Sequence, residues 1–133
     1  TRFRAAEAAG AHRRKSVLVG NGALFLPLEL QRGVDGAMTG FAFPEVLQAL
    51  VRAHNAGQHE RVHNIYQRFL PLIVFEQQPG VAVRKEIFRL RGLAQSSQVR
   101  HPATSIDADT AVQLQAVLQT TLPDTDITQP ISI

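Results

Sequence analysis

GVDGAMTGFAFP, residues 33–44, read together with SVLVGNG at 16–22, decides how this chain folds. Each stretch is a short apolar run that ends in small residues and leads into a helix-like pattern. That is the signature of a βα unit, in which the carboxyl end of a strand opens into a loop able to touch a ligand.

Outward from these units, the rest of the sequence reads as helix. Residues 2–10 are alanine-rich, with Gly10 as a stop. Ser16–Val19 is too closely flanked to be anything but a short buried strand, and Gly20-Asn21-Gly22 is a turn. Ala23–Arg32 follows as a helix with Leu24, Phe25, Leu26 and Leu28 on a broad apolar surface. Asp35–Thr39 is the second strand. Pro44 opens a helix carrying Val46, Leu47, Leu50, Val51 and His54. From Gln58 to Gln77 the apolar stripe is Val62, Ile65, Phe69, Leu72 and Ile73, with a kink expected at Pro71. A further helix bears Val83, Ile87 and Leu90, and a last one, capped by Asp107 or Asp109, bears Leu114, Val117 and Leu118. The tail after Pro123 has no period and is expected to be extended or loosely held. Two strands and about six helices make an α/β chain. Parallel strands are normally buried inside a larger sheet, so a lone pair asks for partners. The pattern is that of the last two strands of a (β/α)8 TIM barrel followed by a helical C-terminal extension. The expected division is residues 1–56 for the terminal βα units and 57–133 for the extension.

Composition excludes several classes. The chain has 133 residues, 44% apolar and 19% charged, ordinary for a globular domain with a real core. Phe69–Phe75 is the longest candidate apolar run, far short of the ~18 residues of a membrane span. Arg2, Arg4 and Glu7 interrupt any signal-peptide core at the start of the sequence. No cysteine is present, which removes disulfides, thiolate zinc sites and a cysteine nucleophile, and fits a cytoplasmic location. The only methionine is Met38 and residue 1 is threonine, so a processed chain or a fragment is expected. Net charge is +3. The basic clusters Arg13-Arg14-Lys15 and Arg84, Lys85, Arg89, Arg91 have only Phe88 nearby, too few aromatics for a nucleic-acid stacking platform.

His59-Glu60-Arg61-Val62-His63 matches H-E-x-x-H, which on a helix puts two imidazoles on one face for zinc with Glu60 as general base. The motif sits at the polar start of its helix. Its nearest third-ligand candidates are Glu76 and Glu86, and zinc is the remote alternative. No G-x-S-x-G, P-loop or complete dinucleotide fingerprint occurs. The better site candidate is the pair of strand ends, Gly20-Asn21-Gly22 and Met38-Thr39-Gly40, where small residues let a substrate approach the backbone. From residue chemistry alone, simple turn formation explains these glycines equally well.

From Val17 to about Leu118 the chain resembles the carboxyl-terminal part of the dihydrodipicolinate synthase / N-acetylneuraminate lyase family, class I aldolases that form a Schiff base with pyruvate or a related 2-oxo acid. The resemblance is carried by Gly20-Asn21-Gly22, Gly36-Ala37-Met38-Thr39, Pro44, Ala56-Gly57, Leu70-Pro71-Leu72, Gln78-Pro79, Val83-Arg84-Lys85 and Arg91-Gly92-Leu93, in that order. It implies strands seven and eight of the barrel. The Schiff-base lysine of strand six and the tyrosine of strand five would precede Thr1, so no catalytic residue maps here and this chain alone is expected to be inactive. Lys15, Lys85 and Tyr66 take no catalytic role. By the same resemblance Gly20 matches the glycine that ends strand seven, Met38 the strand-eight position whose backbone carbonyl faces substrate, and Thr39 its small neighbour. With Asn21 they form the expected substrate pocket. The family often has Asn-Pro-x-Pro-x-Lys where this chain has Gln78-Pro79-Gly80-Val81-Ala82-Val83-Arg84-Lys85. The resemblance implies no metal or organic cofactor, a small 2-oxo acid substrate, a homo-oligomer, and neither nucleic acid nor membrane as partner. The reading from another class is a stand-alone helical association module, with Val62, Ile65, Phe69 and Ile73 packing against a partner.

Overall fold

The computed structural model describes residues 2–10 and 16–133. Arg13, Arg14 and Lys15 lie outside the described residues. Helix α1 spans Arg2–Ala8, strand β1 Leu18–Val19, helix α2 Leu26–Gln31 and strand β2 Gly36–Ala37. Helices α3 (Pro44–Asn55), α4 (His59–Phe75), α5 (Val81–Leu90) and α6 (Ala108–Thr121) follow. The two strands are parallel, with Leu18 opposite Gly36 and Val19 opposite Ala37. The Asp35 and Met38 amides each donate at 2.8 Å to the Val17 and Val19 carbonyls.

Among the described residues the sheet has two strands, and each is shorter than its apolar run. Asp35 holds the amino end of the pair. Its carboxylate accepts from the Val17 amide at 2.6 Å and pairs with Arg4 of α1 at 2.5 Å. Helix α2 begins at Leu26 rather than Ala23, because Asn21–Ala23 form a separate 3-10 turn. That shift buries Leu26, Pro27 and Leu30, and leaves Phe25 and Leu28 half-exposed.

Pro44 starts α3, where its missing amide costs nothing. Helix α4 is the spine of the layer and packs against both α3 and α6. Val62, Ile65, Phe69 and Ile73 are all buried in the chain's own core. The association-module reading is corrected here, since the stripe offered to a partner is already used internally. Burial of such side chains contributes ~1.5–3 kcal/mol each. Asp107, not Asp109, caps α6, accepting from the Thr110 amide at 2.7 Å. At the other end of α6, Arg68 of α4 donates to the Thr121 carbonyl at 3.0 Å.

The tail is not loosely held. Ile131 is buried, the Ile127 carbonyl accepts from Arg91 at 3.1 Å, and the Ile133 carbonyl accepts from Arg61 at 2.9 Å. Aperiodic sequence hid this because the anchors are single arginines on other elements. Among the described residues no helix is long and apolar enough to cross a membrane.

Candidate functional site

The carboxyl ends of β1 and β2 lie side by side, so the loops they open into are neighbours. A β-carbon placed on Gly20 would stand 4.0 Å from the Met38 carbonyl oxygen. The structure thus brings together two of the four expected pocket positions through backbone, as a carbonyl meeting a bare glycine. The Met38 side chain itself is exposed. Thr39 lines a surface hollow of about 390 Å³ together with Leu18, Ala37, Pro44 and Leu47. Asn21 is exposed, and its carbonyl accepts from the Leu24 amide at 3.1 Å.

The turn after β1 is strained. Asn21, Gly22 and Ala23 hold φ of 51°, 62° and 64°. Three successive residues in the left-handed region are unusual, and each non-glycine there costs ~1–2 kcal/mol. Such outliers persist only where surrounding structure over-determines them. Here that structure is α4. The Tyr66 hydroxyl donates to the Leu24 carbonyl at 2.6 Å, so the ring is occupied as an anchor. Burial raises its pKa. The Gln77 amide lies over Gly22 and donates to the Ile73 carbonyl at 3.1 Å and to the Asn21 carbonyl at 3.4 Å.

The loop after β2 is held from the same side. The Ala42 amide donates to Glu76 Oε1 at 3.2 Å, and the Ala42 carbonyl accepts from Arg91 at 2.5 Å. Glu76 is fully buried, with Arg84 Nε 3.2 Å from its second oxygen. Burial pushes its carboxyl up to about 7, against the opposing pull of the Ala42 amide and the Arg84 guanidinium. Arg91 is also buried. It pairs with Glu45 and lies 4.6 Å from the centre of the Phe43 ring. Burial raises the Glu45 pKa, but hydrogen bonds and the charge of Arg91 outweigh it and bring the net value below the usual range.

Sequence reasoning missed the loop-holding roles of Glu76, Gln77, Arg84 and Arg91. A signal existed for two of them. Glu76 continues the stripe of Phe69 and Leu72 at helical spacing, and Arg91 follows Val83 and Ile87 by the same step of four. A charge on an apolar stripe marks a buried ion looking for a partner.

The zinc reading finds no support here. His59 and His63 are exposed, Glu76 is engaged by Ala42 and Arg84, and Glu86 by Arg89 at 2.7 Å. Among the described residues no group of three His, Cys, Asp or Glu could hold a metal ion.

Parallel strands opening side by side into close-set small-residue loops, backed by helices, define an α/β segment of βα type. A model of the dihydrodipicolinate synthetase family matches residues 6–121. The chain belongs to that family. L-2-keto-3-deoxyarabonate dehydratase of Azospirillum brasilense is 35% identical over 99 residues, covering 74% of this chain and 32% of that protein. The crystal structure of dihydrodipicolinate synthase from Rhodopseudomonas palustris matches with a TM-score of 0.84 and 40% identity, over 88% of this chain and 40% of that one. The chain therefore spans well under half the length of either protein.

Proposed function

We propose that this chain supplies the carboxyl-terminal part of a Schiff-base-forming aldolase or lyase acting on pyruvate or a related 2-oxo acid. In this reading β1 and β2 are strands seven and eight of a (β/α)8 barrel, residues 1–56 complete the barrel, and residues 57–133 form its helical extension. The observation that carries it is the Met38 carbonyl facing Gly20 across two parallel strand ends, in a chain of this family.

The chemistry needs an amine from an earlier strand. A lysine amine attacks the ketone carbon, a C–N bond forms, and the carbonyl oxygen leaves as water. The protonated imine then accepts the electron pair of the bond broken beside it, so no metal or organic cofactor is required. The role of this chain is to shape the pocket. Gly20 leaves room for substrate, the Met38 carbonyl accepts a hydrogen bond from it, and Asn21 and Thr39 line the rim. A homo-oligomer in the cytoplasm completes the reading.

Borohydride reduction of the full-length protein with pyruvate tests it. The expected product is a covalent adduct on one lysine upstream of Thr1, located by peptide mass. No adduct with pyruvate or other 2-oxo acids overturns the reading.

A further inference from the structure

Two consecutive residues directly after α4 each hold one of the pocket loops. Gln77 serves the turn after β1. A β-carbon on Gly22 would stand 2.2 Å from its Nε2, so only glycine lets the amide lie against that turn. Glu76 serves the loop after β2 through the Ala42 amide. Arg84 braces the same loop, since a β-carbon on Gly40 would stand 3.2 Å from its Nη1.

A carboxylate needs no burial merely to end a helix, and an apolar residue of similar volume is commonly as stable at a buried site. What an apolar residue would not do is accept from the Ala42 amide while fixing Arg84 against Gly40. Residues 76 and 77 directly follow the last turn of α4, and the peptide bond that joins them transmits one fixed spacing to both loops. The strand pair contributes the hydrogen bond from the Met38 amide to the Val19 carbonyl at 2.8 Å, but its two-residue ladder does not extend to Gly22 or Ala42.

We propose that Glu76 and Gln77 are positioning residues, adjacent side chains whose hydrogen bonds set the distance between the two pocket loops and thereby fix the Met38 carbonyl relative to Gly20. What occupies that space rests on the aldolase reading above. The clamp itself rests only on the geometry.

The test uses the full-length enzyme, with pyruvate as the probe and borohydride-trapped adduct as the signal. Glu76→Ala and Gln77→Ala are each expected to raise the half-saturating pyruvate concentration about tenfold, the scale of one lost hydrogen bond, with the maximal trapping rate within about threefold of wild type. Glu76→Gln, which keeps an oxygen for the Ala42 amide, is expected to restore half-saturation to within about twofold. Leu118→Ala, a core change in α6 away from both loops, should lower the melting temperature and leave half-saturation unchanged. Should Glu76→Ala fail to fold, Gln77→Ala decides, with Gly22→Ala displacing the same amide. Half-saturation unaltered in the alanine variants, or moved equally by Leu118→Ala, overturns the clamp. If wild type forms no adduct, the aldolase reading falls, and amide exchange at residues 21–24 and 40–43 decides the clamp. Exchange about tenfold faster in the variants supports it, and unchanged exchange overturns it.

Discussion

The strand pair and the helical layer keep their shapes by different means. The helices close their own core, with Phe69, Leu72, Ile73, Ile87 and Leu114 fully buried. The strand pair leaves Leu18 at 49% exposure and, one residue past β2, Met38 at 74%, and its loops are held by hydrogen bonds from the helical layer. The difference teaches that in this chain the candidate pocket is an outwork of the helical layer, even though its residues are numbered with the strands.

Phe69→Ala should break the comparison most severely. Truncating a fully buried phenylalanine at the centre of α4 costs roughly 3–5 kcal/mol, and urea denaturation should show strands and helices lost together. If near-ultraviolet and exchange probes report the loops surviving the loss of α4, the dependence described above is wrong. Arg91→Ala should cost about 3 kcal/mol, because it strands Glu45 and the Ala42 and Ile127 carbonyls at once. Proteolysis of the tail beyond Ile127 is the added readout, and it should accelerate in this variant under conditions where the helices remain folded.

The buried Glu76 and the partly buried Glu45 sharpen the contrast through pH. The folded pKa of Glu45 lies below its unfolded value of 4.5, so its contribution is present above that value and is lost as pH falls through the folded one. Glu76 has the opposite sign. Its folded pKa of about 7 exceeds the unfolded 4.5, so stability from this group is full below 4.5 and is lost as pH rises through about 7. Glu76→Gln should therefore gain melting temperature relative to wild type on going from about pH 5 to about pH 8. A difference that is flat or reversed across that range would contradict the burial of the charge. The smallest effect is expected at Leu18→Ala, about 0.5–1 kcal/mol in this chain because half the side chain is already in water. A larger loss in the full-length protein, measured by the same denaturation curve, would indicate that other segments cover that face.

Much of this arrangement was legible from residue patterns. Period and capping placed α3 through α6 closely, since Pro44, Asp107 and the stripes of α4 and α5 act locally. The glycine-ended apolar runs located β1 and β2, though not their two-residue length, which depends on neighbouring strands. The start of α2 was misplaced because nothing in Asn21-Gly22-Ala23 announces three left-handed residues when two of the three carry side chains. The tail was misjudged because its anchors, Arg61 and Arg91, lie far away in sequence. The loop clamps went unseen for the same reason, although Glu76 on an apolar stripe was a visible anomaly.

At one guanidinium Arg91 joins the segment 42–45, through the Ala42 carbonyl and the Glu45 carboxylate, to the distant Ile127 carbonyl. Whatever loosens the Ala42 loop must therefore be felt in the final residues. A fluorophore at exposed Ser132 would serve as a remote gauge of that loop's order.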